Sequence, residues 1–174
     1  MATVRERPPK PMSYVDKNLM EGEQVVYRTR RHWIVFAKAM VFLALGVVLS
    51  IALWLAESES LPSNAKFIPL AAGVLIALIT GLPAWIHRLT AEFAVTNKRV
   101  IVKVGWIQRR SLETLLTKVE GIEVIQGIAG RIFDYGTIII TGTGGSKEPF
   151  ATIAAPLQFR RKVQEQIIAL QEMR

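Results

Sequence analysis

The chain has 174 residues, enough for one modest domain with accessory structure, and a net charge of +8 alongside 51% hydrophobic residues and a mean hydropathy of +0.30. With no cysteine, a disulfide framework, a thiolate metal site and a cysteine nucleophile are excluded. The apolar excess and the charge are reconciled if the apolar residues are segregated into membrane spans and the charges lie outside them.

Residues 1–17 are polar, basic and proline-bearing (Pro8, Pro9, Pro11). They lack the apolar run and small-residue cleavage site of a signal peptide, so a retained, disordered tail is expected. Residues 18–33 form a juxtamembrane segment in which Val25, Val26 and Tyr27 have strand character; it is expected to pack on the domain that follows the spans. Residues 34–55 then run with one charge, Lys38, a single turn from the start, and residues 67–86 run with none. Each run reaches roughly 30 Å as a helix, the thickness of the hydrocarbon core. Lys38 is close enough to the end to snorkel. Trp33, Trp54, Trp85 and Arg88 mark the ends of the runs, where indoles and cations anchor at the interface.

Only residues 56–66 separate the runs, so the two helices are antiparallel neighbours. That loop carries Glu57, Glu59 and Lys66, whereas Arg5, Arg7, Lys10, Lys17, Arg28, Arg30 and Arg31 precede the first run. His87, Arg88, Lys98 and Arg99 follow the second. The positive-inside bias makes residues 34–86 a two-span hairpin with both termini cytoplasmic. Gly46 and Ala44 on one run, with Ala72, Gly73 and Ala77 on the other, allow close helix contact. Gly81 and Pro83 are expected to kink the cytoplasmic end of the second. Neither run holds an acid or amide, so no ion or proton path is expected from this chain alone.

Residues 87–174 make the second unit. Residues 91–96 and 99–104 flank Asn97-Lys98, a two-residue hairpin turn in which Asn tolerates positive φ. Gly105 and Trp106 break the second strand, and residues 109–116 and 119–125 supply the next two. Residues 136–141, with Thr-Ile-Ile-Ile-Thr after a glycine, form the strongest strand signal. Gly142, Gly144 and Gly145 then turn the chain into residues 149–153. From Pro156 the period changes: Phe159, Val163, Ile167 and Leu170 recur at helical spacing, with Arg160, Arg161, Lys162, Gln164 and Glu165 on the other face. The fold class is membrane-anchored α+β: a two-helix transmembrane hairpin plus a bent antiparallel sheet or partial barrel capped by a C-terminal helix.

The run Ala-Glu-Phe-Ala-Val-Thr-Asn-Lys-Arg-Val-Ile from Ala91 and the run Glu-Gly-Ile-Glu-Val-Ile-Gln from Glu120 form part of an ordered set. Gly105 lies between them, and Gly-Arg-Ile-Phe-Asp-Tyr-Gly-Thr-Ile from Gly130 completes it. Together with Leu-Met-Glu-Gly-Glu-Gln-Val-Val-Tyr from Leu19 and Arg-His-Trp from Arg31, this set resembles the bacterial pleckstrin-homology-like (PH-like) domain family. The closest likeness is to its membrane-flanked group, formerly a domain of unknown function, and it extends from Asn18 to nearly the end of the chain. The resemblance implies a seven-stranded, strongly bent sheet with a capping helix. It implies a location in the bacterial inner membrane, no enzymatic activity, and no catalytic residues to carry over. Phe133-Asp134 departs from a Leu-Gly pair common in the family, making that short loop less flexible.

Chemistry is otherwise sparse. His32 and His87 each sit at a span boundary beside arginine, as headgroup or proton-sensing contacts or as ordinary interfacial residues. No His–carboxylate spacing suits a metal, Ser146 lacks the setting of a nucleophile elbow, and the Gly142–Lys147 stretch is a turn rather than a phosphate loop. Lys98, Arg99, Lys103, Arg109 and Arg110 cluster around the first hairpin, where eukaryotic relatives implied by the resemblance hold inositol phosphates. The cluster reads as a phosphoinositide site, as generic contact with anionic lipid at about 1 kcal/mol per cation, or as a solvated basic face. No aromatic platform accompanies it, so nucleic acid is not expected. No cofactor, metal or small-molecule substrate is expected either. Three functions remain open: a scaffold that binds a membrane-protein partner or a second copy, a sensor of anionic headgroups, and an accessory subunit of a membrane enzyme or transporter.

Overall fold

Tyr14–Lys17 (α1) opens the described part of the chain, which comprises residues 14–56, 62–105 and 110–172 of a computed structural model. This single helical turn is anchored: Val15 is buried with Ala94 and Ile101. The Glu92 carboxylate accepts the first-turn backbone N–H groups of Tyr14 and Val15 at 3.4 and 3.3 Å. The expected disordered tail is therefore corrected at residues 14–17. One apolar residue in one turn has no periodicity to betray it.

β1 (Val25–Thr29) pairs antiparallel with β2 (Glu92–Thr96), Val25 opposite Thr96 and Thr29 opposite Phe93. The apolar hairpin is thus an insertion between two adjacent strands. β3 (Arg99–Val104) and β4 (Arg110–Leu115) complete a sheet of order β1-β2-β3-β4. β5 (Val119–Ile125), β6 (Tyr135–Gly142) and β7 (Lys147–Ala154) form a second, antiparallel sheet of order β5-β6-β7. The sheets join on one side, where Arg31 bridges Ile153, the Ala154 N–H donates to the Arg30 carbonyl at 3.1 Å and the His32 N–H donates to Thr152 at 2.8 Å. On the other side β4 and β5 end their sheets, with no further strand among the described residues.

α5 (Pro156–Glu172) closes the space between the sheets. Its Phe159 and Val163 are fully buried in a core with Phe93, Val95, Val102, Ile138 and Phe150, and Ile167 and Leu170 pack on the same core. Phe93 and Phe150 meet edge to face at 6.0 Å across the two sheets. β2 and β3 are buried on both faces because α1 covers the side away from α5. Their runs Phe-Ala-Val and Val-Ile-Val accordingly do not alternate with polar residues.

Two local expectations change. The Asn97-Lys98 turn is two residues long, but neither residue has positive φ. The Thr96 hydroxyl holds it instead, accepting the N–H groups of Lys98 and Arg99 at 3.2 and 2.9 Å. The expected loop before β6 contains a short helix, α4 (Ile128–Phe133), ended by Asp134 in the left-handed conformation at φ 54°. Six residues are too few for a helical period to register.

α2 (Ala37–Leu55) and α3 (Ile68–Thr90), each preceded by a 3-10 turn, form the hairpin. With those turns they make helices of 23 and 26 residues, long and apolar enough to cross a membrane. Only 17% and 6% of their most apolar windows are buried, unlike core helices of a globular domain. They cross at Gly46 and Gly73, where an added Cβ would lie 2.7 Å from the Pro69 carbonyl or 2.9 Å from that of Phe42. Ser50 donates to the Lys66 carbonyl at 2.6 Å near the loop. Pro83 lies inside α3, which continues as helix to Thr90.

Candidate functional site

The residues of the first hairpin turn do not form a free basic cluster. Arg99 is 5% exposed, and its guanidinium donates through Nε and Nη2 to the two oxygens of Glu23, each at 3.0 Å. It also reaches the Glu113 carboxylate and the Asn18 carbonyl. Arg99 is therefore corrected from a lipid contact to a buried ion-pair centre. Lys98 Nζ donates to the Glu21 carbonyl at 2.8 Å, Lys103 Nζ lies 4.4 Å from the centre of the Tyr14 ring, and Arg110 pairs with Glu148 at 2.7 Å. Arg109 lies outside the described residues.

A clasp results. Thr96 donates to Glu23 at 2.7 Å, Asn97 accepts from the Gln24 N–H at 3.0 Å and donates to the Gly22 carbonyl at 3.2 Å, and Lys98 and Arg99 complete the set. Every residue of Thr-Asn-Lys-Arg thus binds the segment ahead of the first apolar helix. Burial alone would raise the Glu23 carboxyl. The hydrogen bonds from Arg99, the Met20 N–H and Thr96 outweigh it and hold that carboxyl below its ordinary range. The same pair raises Arg99. Glu23, Glu113 and the Asn18 carbonyl escaped the sequence reading.

A second group lies where the domain meets the hairpin. Trp33 packs edge-on to Phe133 at 5.8 Å, and His32 stacks on Tyr135 at 5.4 Å. His32 Nδ1 accepts the Ile34 N–H at 3.2 Å. Burial, and then the nearby Arg88 charge, push the His32 pKa down, which keeps this acceptor unprotonated. Arg88 sits over the Phe36 ring at 5.8 Å. At the loop end, Trp54 meets Phe67 at 5.8 Å and the Lys66 ammonium at 5.2 Å. Lys38 and Trp85 are exposed on the helices.

Near this junction a cleft of about 330 Å³ is walled by Phe93, Val104 and Phe150, with Arg31, His87 and Arg110 around it. Among the described residues, no cluster of His, Asp and Glu is placed to hold a metal ion.

The family model described as bacterial PH domain matches residues 33–167 of the chain. Neither a curated protein nor a solved structure matches it significantly.

Proposed function

The chain belongs to the bacterial PH domain family, and from that premise we propose that it is a membrane-anchored interaction module. The family points to a non-enzymatic binding role. In the proposed arrangement α2 and α3 cross the bacterial inner membrane, both termini and the domain face the cytoplasm, and a protein partner or second copy docks on the domain. The observation that carries this reading is the insertion of the hairpin between paired strands. β1 leads into α2 and α3 leads into β2 with a few residues between, and the clasp around Arg99 locks the entry segment down. A domain so held cannot swivel on a linker, and it offers a fixed face to whatever lies beside it in the membrane.

The unpaired outer edge of β4 is the proposed docking strand, since an exposed edge accepts a further strand through backbone hydrogen bonds. A photo-crosslinking residue at Ser111, exposed on β4, should trap one discrete heavier species in native membranes. The same residue at Gln164, exposed on α5, should not. A chain that stays monomeric with every probe sinks the proposal.

The cleft near Arg31 supports a second reading, contact with an anionic lipid headgroup. On that reading, Arg31→Gln with Arg110→Gln lowers the anionic lipid that co-purifies, while Lys98→Gln leaves it unchanged. Equal retention in both variants and the unaltered chain would remove it.

A further inference from the structure

α4 carries an apolar surface that the domain leaves uncovered. Ile128 is 83% exposed and Ile132 72%, one helical turn apart and therefore on one face. Phe133 and Ile125 are also about half exposed. The helix is held firmly from behind. A Cβ at Gly130 would lie 2.5 Å from the Tyr135 carbonyl, and Gln126 donates to the Gly130 and Tyr135 carbonyls at 3.3 and 3.0 Å. These isoleucines are presented by a rigid support, not by a slack loop.

The patch is continuous with the hairpin. Phe133, the last residue of α4, packs on Trp33, and Trp33 begins the first helix long and apolar enough to cross a membrane. Arg131, exposed on the same short helix, adds a cation beside the isoleucines. Apolar side chains flanked by a cation, at the level of an indole that opens a span, have the chemistry of an element lying in the headgroup region.

We propose that α4 is a membrane wedge. Ile128 and Ile132 enter the boundary between headgroups and acyl chains in the leaflet where α2 begins, Phe133 and Trp33 carry the apolar surface across, and Arg131 meets lipid phosphates. A helix of six residues could not hold to a bilayer alone. Here the hairpin keeps it at the surface, so its local concentration there is high. The wedge gives the domain a third point of attachment and sets its tilt. The proposal rests on the reading that the hairpin crosses a bilayer.

The chain has no cysteine, so single cysteines can report position in the full-length protein. Ile128→Cys, Ser146→Cys in the β6–β7 turn and Leu78→Cys within α3 would each carry an environment-sensitive fluorophore. The host would be vesicles of phosphatidylethanolamine and phosphatidylglycerol with spin-labelled acyl chains. Quenching at position 128 is expected to exceed that at 146 by at least about twofold, approaching that at 78. The added change Ile132→Asp, at an exposed position, should reduce it. Quenching at 78 with none at 128 overturns the wedge and leaves the anchor standing. No quenching at either removes both. A blue-shifted but unquenched label at 128 means that protein covers the patch, which also overturns the wedge.

Discussion

Removing the Arg99 guanidinium would strand the Glu23 carboxylate, whose side chain has no exposure. Breaking a buried pair by taking one partner costs about 3–5 kcal/mol, much of it the desolvation of the charge left behind. Arg99→Met should therefore lower unfolding stability in micelles by about that amount, and adding Glu23→Leu should recover a large part of the loss. If the double variant is no better than the single one, the clasp is not held by this charge pair. Acid should act through two groups. The Glu23 carboxyl is depressed in the folded protein, so its contribution is complete above the unfolded value of about 4.3 and is lost as pH falls through the lower folded value. His32 is depressed as well. Its contribution is whole above about 6.5 and declines as pH drops from there toward the folded value. Stability followed against pH should show both declines, and His32→Gln should remove only the upper one. An unchanged upper decline would assign it to another group.

At the scale of elements, the hairpin depends on the contact between Gly46 and Gly73. Because an added Cβ meets backbone oxygen on the facing helix, the helices must separate to admit one, and overpacking of this kind costs about 1–3 kcal/mol. A reporter is available farther along, where a Cβ at Gly81 would lie 3.3 Å from the Ala39 Cβ, close to the spacing of a disulfide. The pair Ala39→Cys with Gly81→Cys should oxidise readily, and Gly46→Leu in the same chain should slow that oxidation markedly. Equal rates would mean that the helices are held by something other than this crossing. The strands follow a different logic. β6 alternates between buried and half-buried residues, whereas β2 and β3 are enclosed by α5 on one side and α1 on the other. An element as short as α1 thus covers the outer face of the two central strands, through Val15 against Ala94 and Ile101.

For the whole molecule, the proposed topology puts the α2–α3 loop on one side of a bilayer and the β6–β7 turn on the other. A membrane-impermeant maleimide applied to intact cells should label Ser63→Cys, which is exposed near that loop. It should label Ser146→Cys only after permeabilisation. The opposite pattern would invert the topology, and equal labelling of both would deny a span.

The amino-acid sequence by itself determined the elements whose signal is local and long. Two apolar runs, the strands at 99–104 and 136–141, and the terminal helix with Phe159 and Val163 facing inward all declared themselves by length, period or β-branched composition. The family was legible in the same way, through an ordered set of motifs spread along the chain. Only the tertiary structure decided what those motifs do. Lys98 and Arg99 read as a basic patch because charge is visible in a sequence and partners are not. Glu23 lies 76 residues from Arg99 in the chain, and nothing in local composition pairs them. α1 and α4 were missed because one turn of helix has no period, and its stability comes from the surface it packs against. The same packing left Ile128 and Ile132 outside, and only the folded chain brings Phe133, at the end of their helix, against Trp33.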